Sequence, residues 1–280
     1  MNTVLYILVI TALAGVGGTG LGSILSCLFK KDSNRIVSLL LSFAAGVMLA
    51  VVCFDLLSEA LIESGVFLVI AGLSFGYILI GILNAIIDSK TNKEVAHIDK
   101  SHPKTADSLE ELTHANHLQE HMEGRQPRSG LFIAGLIMAA AIALHNVPEG
   151  IVIGSSFAKS AKELVLDRAG ITMAIVIGLH NIPEGMAVAV PLISGGMSKF
   201  KAVLVTALTG SPTIIGALIG YYIGVMGPTA LALSLSFASG AMLYVVFAEL
   251  LPESILMYKS KMPAVGIFVG IIVGLIIIYV

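Results

Sequence analysis

Two copies of one six-residue motif carry the side chains with the most chemistry in this sequence. HNVPEG occupies residues 145–150 and HNIPEG occupies residues 180–185, each within an apolar stretch. Residues four apart lie on one face of a helix, so each copy presents an imidazole and a carboxylate together. With the neighbouring asparagine amides, they suit a divalent cation. The motifs predict a metal site with these candidate ligands: His145, Asn146, Glu149, His180, Asn181 and Glu184.

The composition indicates that the apolar stretches cross a membrane. Of the 280 residues, 56% are hydrophobic and 12% are charged, and the mean hydropathy is +0.96. Soluble domains carry about 25% charged residues. A formal net charge of −2 gives no sign of the concentrated basic surface that nucleic-acid binding requires. We expect a polytopic membrane protein without a nucleic-acid partner, in which ionisable groups inside a span are usually functional.

The elements that position the motifs are eight apolar segments, since a helix needs about 20 such residues to cross the hydrocarbon core. They lie near residues 4–28, 36–61, 65–87, 131–157, 170–194, 202–225, 229–256 and 263–280. Cytoplasmic loops carry an excess of Lys and Arg, and placing both termini outside puts 13 of the 16 basic residues in the cytoplasm. We predict an all-α, multi-pass protein of the inner (plasma) membrane with both termini outside.

The one long polar segment is the third loop, which holds five of the seven histidines. Its composition predicts a flexible cytoplasmic loop. If part of it is helical, His114, His117 and His121 share one face and could bind a metal; alternatively they are incidental histidines of a solvated linker. The predicted organisation is residues 1–87 for helices one to three, 88–129 for the loop, 130–195 for helices four and five with the metal site, and 196–280 for helices six to eight.

A second repeat relates helix two to helix seven. Residues 43–60 match residues 237–254 at ten of 18 positions. Helices two and seven, like helices four and five, are separated by an odd number of crossings and therefore run in opposite directions. This pattern is typical of inverted-topology repeats in transporters, although chance similarity between Leu/Ala/Gly-rich helices could explain several identities. The alignment pairs Asp55 with Glu249 and Glu59 with Glu253.

The paired acidic residues lie near opposite ends of their helices. With both termini outside, Asp55 and Glu59 are near the outer end of helix two, and Glu249 and Glu253 are near the inner end of helix seven. One hypothesis is an outer and an inner acidic vestibule that attract a cation towards a site at the midplane. The alternative is that these carboxylates have no role with the metal and, lying near helix ends, only extend to the membrane–water interface.

The candidate ligands favour a borderline metal. Histidine and glutamate without cysteine suit zinc, iron(II), manganese or cobalt, and imidazole argues against magnesium and calcium. As a working mechanism, we expect the protein to transport the metal by alternating access through the His/Glu site. A metal channel, a metal-sensing receptor and export remain alternatives, and a membrane metallohydrolase is disfavoured because the sequence contains no HExxH.

The doubled motif, eight spans, outer termini and His-rich third loop resemble the ZIP (Zrt/Irt-like) divalent metal transporters, in particular their bacterial GufA/ZupT-like branch. The resemblance implies import of zinc, and possible transport of iron, manganese, cobalt or cadmium, by a homodimer. It implies no cofactor, because the bound metal is the transported substrate. It also implies that His145, Glu149, His180 and Glu184 are the primary ligands, with Asn146 and Asn181 beside them.

The sequence departs from the family pattern in helix six. Family members with two metals have a carboxylate there, whereas residues 202–225 contain no Asp, Glu or His. The nearby polar side chains are Thr209, Ser211 and Thr213, and Pro212 is expected to break the helix. A single-metal or hydroxyl-assisted site is therefore the prediction.

Overall fold

The computed structural model describes residues 3–28, 34–91, 128–163 and 168–279, and within these ranges all regular structure is helical. We number eight helices in chain order. They are α1 (Thr3–Ser26), α2 (Asn34–Ala50 continuing through Leu57–Glu63), α3 (Val66–Thr91), α4 (Arg128–Glu163), α5 (Arg168–Ser194), α6 (Lys199–Val225), α7 (Pro228–Met257) and α8 (Met262–Tyr279).

The eight helices confirm the predicted all-α membrane fold. Over the described ranges, seven helices are long and apolar enough to cross a membrane, and α4, the eighth, is 36 residues long. The ends differ from the prediction, because α3 continues to Thr91 and α4 begins at Arg128, so both enter the segment predicted as loop. His114, His117 and His121 lie outside the described residues.

Several helices depart locally from α-helical geometry. Single π-helical turns occur at Leu13–Gly17 in α1, Val51–Leu56 in α2 and Val246–Leu250 in α7. α6 is interrupted between Thr209 and Pro212, which confirms the expected break. In contrast, Pro148 and Pro183 of the two motifs lie inside the uninterrupted helices α4 and α5. Both motifs are therefore presented from continuous helices.

Helix packing follows the two repeats. α2 packs on α8 as α7 packs on α3, and α4 packs on α6 as α5 packs on α1. Residues 194 apart exchange places between the two contacts: Gly46 lies against the main chain of Ile267, whereas Gly240, 194 positions after Gly46, lies against that of Leu73, 194 positions before Ile267. This correspondence extends the repeat seen between helices two and seven to their neighbours, as an inverted repeat requires.

In α1 the correspondence shifts by one residue. TALAG at 11–15 matches TALTG at 206–210 with an offset of 195, whereas Thr19 and Gly22 match Thr213 and Gly216 with an offset of 194. The extra residue falls within the π-helical turn of α1. At this point α1 and α6 meet, since a Cβ on Gly15 or on Gly210 would touch the carbonyl oxygen of the other.

The glycine that ends each motif allows close helix packing. A Cβ on Gly150 would collide with the carbonyl oxygen of Thr213 in α6, and one on Gly185 would collide with that of Thr19 in α1. Small residues let membrane helices approach until main chains touch. Gly150 and Gly185, which directly follow the candidate ligands, thus allow α4 to pack closely on α6 and α5 on α1.

We expect Gly185→Ala to destabilise the protein by about 1–3 kcal/mol, because the added methyl group overpacks a contact between main chains. The matched control is Gly17→Ala, since no atom lies within 4 Å of a Cβ built at Gly17. Thermal unfolding of the purified protein in detergent would measure both. Equal unfolding temperatures for the two variants would contradict the packing role of Gly185.

Candidate metal centre

Four of the predicted ligands meet in the interior between α4 and α5. Nε2 of His145 lies 3.1 Å from Oε1 of Glu184, and Nε2 of His180 lies 3.1 Å from Oε1 of Glu149. His180 Nε2 is also 2.8 Å from Glu184 Oε1. All four side chains are buried, with Glu149 and Glu184 completely so. The structure thus brings the two motifs together through their histidines and glutamates.

The polar atoms of this cluster are arranged to face a common ligand. His145 Nε2 and both carboxylate oxygens of Glu184 make no hydrogen bond to any described residue, despite their short separations. Around tetrahedral zinc, ligand atoms at about 2.0–2.2 Å from the metal are about 3.4 Å apart. The observed 2.8–3.1 Å separations are close to this value. The donor set therefore fits a divalent metal, and the two carboxylates balance its charge.

Within the described residues, His145, Glu149 and Glu184 also offer ligand atoms that all lie within 4.8 Å of one another. His180 completes the cluster through its contacts with both glutamates. A site of two imidazoles and two carboxylates resembles the ligand types that zinc takes in proteins.

Asn146 makes a different set of contacts from its neighbours. Its amide nitrogen donates hydrogen bonds to the carbonyl oxygens of Ile142, at 3.0 Å, and Thr209, at 2.9 Å. Its side-chain oxygen accepts a hydrogen bond of 3.2 Å from the Thr213 hydroxyl. Asn146 therefore joins α4 to both sides of the break in α6.

Asn181 occupies the corresponding place in the second motif. Its amide nitrogen donates a 3.3 Å hydrogen bond to the carbonyl oxygen of Ala14 in α1. Its side-chain oxygen is buried and has no hydrogen-bond partner among the described residues. Of the two asparagines, Asn181 is thus the one with an oxygen that remains available to a metal.

The hydroxyls of Thr209, Ser211 and Thr213 in α6 make protein contacts, whereas Oγ1 of Thr206 is buried without a hydrogen-bond partner among the described residues. Thr213 bonds Asn146, Thr209 bonds the carbonyl oxygen of Thr206 at 2.7 Å, and the half-buried Ser211 bonds that of Leu208 at 2.8 Å. These contacts place Thr213 beside the first motif without bringing its hydroxyl into the His/Glu cluster. The single-metal and the hydroxyl-assisted site both stay predictions.

Glu249 lies closer to the centre than an inner vestibule would require. Its Oε2 is 3.5 Å from Nδ1 of His145, on the opposite side of the ring from Glu184. Carboxylates in this relation to a ligating histidine orient the ring and strengthen it as a ligand. Sequence comparison paired Glu249 with Asp55 but gave no sign of this contact. Glu253, one turn further along α7, is half-buried.

Asp55 and Glu59 both line a cavity of about 220 Å³ on the other side of the centre. Ser155 and Lys159 of α4 face the same cavity. Val152 and Val176, both buried, occupy the turns between this cavity and the His/Glu cluster. The cavity and the centre are thus separated by an apolar layer.

Comparison with known proteins identifies the family. A family model described as "ZIP Zinc transporter" matches residues 84–278. The chain belongs to the ZIP family. Over nearly its whole length it is also similar to proteins named "Zinc transporter ZupT", in agreement with the resemblance of the motifs.

Three of these relatives illustrate the similarity. The protein of Clostridium perfringens is 30% identical, covering 98% of this chain and 95% of its own. Those of Akkermansia muciniphila and Salmonella heidelberg are each 31% identical, covering 98% and 96% of this chain and 97% and 94% of their own. As a ZIP family member, the chain is a multi-pass membrane protein with a buried His/Glu cluster.

We expect Asn146→Ala to lower stability by about 1–3 kcal/mol, because it leaves buried partners in α6 without their hydrogen bonds. Thr213→Val removes one of these bonds with little change in shape and should cost less. Thermal unfolding in detergent measures both effects. An unfolding temperature for Asn146→Ala equal to that of the wild type would contradict the proposed link between α4 and α6.

Zinc binding should depend on the glutamates in a defined order. Glu184→Gln removes a charged group that contacts both histidines and should weaken binding by more than 100-fold, whereas Glu249→Gln, which acts through His145, should weaken it by about tenfold. Isothermal titration of the purified protein would measure both. Glu63→Gln, at the end of α2, is the control and should bind as the wild type does; a larger loss in Glu249→Gln than in Glu184→Gln would reverse the assignment.

Proposed function

We propose that this protein imports zinc into the cytoplasm, with His145, Glu149, His180 and Glu184 as the ligands that hold the metal midway across the membrane. The observation that carries the proposal is the enclosed cluster of these four side chains, in which six of the eight polar side-chain atoms lack hydrogen-bond partners among the described residues. Its relatives of similar length are named zinc transporters, which supports a carrier rather than an enzyme.

The charges of the cluster explain why a metal ion can cross here. Two ionised carboxylates in an apolar interior are costly unless paired with opposite charge. With neutral imidazoles, Glu149 and Glu184 contribute two negative charges, which one divalent ion balances. The bound metal, rather than a cofactor of the protein, is the transported substrate. Iron, manganese, cobalt and cadmium carry the same charge and accept the same ligand types.

Alternating access accounts for the unequal environment of the centre. On the side of Glu249 the cluster has a further carboxylate that is partly exposed, whereas buried Val152 and Val176 separate it from the cavity at Asp55 and Glu59. We take the Glu249 side as cytoplasmic because the basic residues predict outer termini. Asp55 and Glu59 then form the outer vestibule, and Glu249 and Glu253 form the inner one.

The remaining parts of the proposal follow the sequence predictions. The protein acts in the inner (plasma) membrane as a homodimer with both termini outside. Asn181 contributes its unpaired side-chain oxygen to the metal, and Asn146 holds the first motif against α6. The loop histidines His114, His117 and His121 receive metal on the cytoplasmic side.

Uptake of radiolabelled zinc into proteoliposomes of defined orientation tests the function. We expect saturable uptake that falls at least 100-fold in His145→Ala and in Glu184→Ala, because each loses a direct ligand, while Glu63→Gln retains wild-type uptake. Competition by manganese, iron(II), cobalt and cadmium would define the selectivity.

Three outcomes would overturn parts of the proposal. Unchanged uptake in both ligand variants would place the metal path elsewhere. Zinc movement only in the opposite direction would make the protein an exporter. Flux that does not saturate, at rates far above those of carriers, would make it a channel.

A further inference from the structure

An ion pair crosses the outer cavity. Nζ of Lys159, near the end of α4, lies 2.7 Å from Oε2 of Glu59 in α2. The Lys159 side chain is 32% exposed and that of Glu59 is 17% exposed, so the pair is only partly screened by water. Asp55 lines the same cavity one turn away. A protein cation therefore occupies the place where two carboxylates could receive a metal.

The internal repeat shows that this cation belongs to one side only. Glu59 corresponds to Glu253 by the offset of 194, and Lys159 corresponds to residue 194 by the motif offset of 35. Residue 194 is a serine. Among the described residues, no lysine or arginine forms an ion pair with Glu253. Among the described residues, the lysine that pairs with Glu59 thus has no counterpart at Glu253.

The charge balance of the cavity suggests a role for this difference. Asp55 and Glu59 supply two negative charges, and Lys159 leaves a net charge of −1. If a divalent ion replaces the ammonium group beside Glu59, the charge of the two carboxylates is fully balanced. A monovalent ion in the same place would leave the charge at −1 and gain nothing over the lysine. The exchange favours divalent cations.

We propose that Lys159 is a tethered cation that occupies the outer carboxylates Asp55 and Glu59, and that an incoming divalent metal must displace it to enter. Lys159 is a positioning residue: it touches Glu59, not the central ligands. It sets the metal concentration at which the outer cavity fills. The inference rests on the proposed import of zinc, with this cavity on the outer side.

The lysine also joins two helices across the entrance. α4 carries Lys159 and the first motif, whereas α2 carries Glu59 and Asp55. While the pair is intact, it links α4 to α2 at the cavity, and buried Val152 lies on α4 between Lys159 and the first motif. Displacing the ammonium group releases this connection at the moment a metal arrives. Entry of the metal into the cavity and release of α4 from α2 are thereby coupled.

Zinc uptake by four variants tests the displacement. Lys159→Gln should lower the KM for zinc about three- to tenfold, because no ammonium group then has to be displaced from Glu59. Lys159→Arg keeps the charge and should stay within about twofold of the wild type. Glu59→Gln should raise the KM, and Lys159→Gln combined with Glu59→Gln should match Glu59→Gln alone.

Comparing the double variant with Glu59→Gln alone separates the proposed role of Lys159 from a structural one. A lysine that only stabilises the fold would have the same effect on KM with or without Glu59. Lys201→Gln removes one positive charge at the far end of the molecule and is the control, with KM unchanged. An unchanged or raised KM in Lys159→Gln, or effects of Lys159→Gln and Glu59→Gln that add, would overturn the proposal.

A binding measurement keeps this test independent of transport. In a protein that also carries His180→Ala and Glu184→Ala, equilibrium dialysis of labelled zinc against the detergent-purified protein reports the remaining sites. We expect Lys159→Gln to strengthen this binding about tenfold and Glu59→Gln to cancel the gain. Equal binding with and without Lys159→Gln would overturn the proposal even if uptake occurs.

The two series distinguish the possible failures. If Glu184→Ala abolishes uptake while the Lys159 variants change neither KM nor binding, the import function stands and only the role of Lys159 fails. If the wild-type protein moves no zinc but Lys159→Gln strengthens binding, the outer site stands and the import function fails.

Discussion

Two carboxylates and two imidazoles enclosed by apolar helices are stable together only when positive charge offsets Glu149 and Glu184, and the rest of the molecule is arranged around this requirement. The helices supply no lysine or arginine to the cluster among the described residues. A mobile divalent ion can supply the charge and then leave. The free-energy cost of burying the Glu149 and Glu184 carboxylates therefore favours the binding of a divalent cation.

The inverted repeat explains how two similar helices form one centre. His145 faces Glu184 and His180 faces Glu149 at the same 3.1 Å separation, as two-fold symmetry requires. Each motif thus provides half of both pairs, and neither helix could form the site alone. The symmetry is incomplete within the cluster, where His180 also lies 2.8 Å from Glu184. It is lost in the outer contacts, where Glu249 reaches His145 while its counterpart Asp55 lines the distant cavity.

The sequence predicted the eight helices, their order and the meeting of the His and Glu side chains of the two motifs, because apolar length and motif spacing are local properties. It could not predict contacts that depend on how helices meet. Glu249, which reaches His145, lies within the π-helical turn at Val246–Leu250, and Asn146 bonds residues on both sides of the break in α6. The pairing of Lys159 with Glu59 joins residues 100 positions apart and has no sequence signature. The loop histidines stay a prediction.

The π-helical turn of α1 also marks where the two halves of the internal repeat differ in length by one residue. Before it the two halves of the chain differ by 195 positions, and after it they differ by 194. If the halves descend from one duplicated gene, a single codon was gained or lost within a membrane helix. Because the additional residue bulges locally, Thr19 and Gly22 kept their places against α5. A change that would otherwise rotate half a helix by about 100° was thereby confined to one turn.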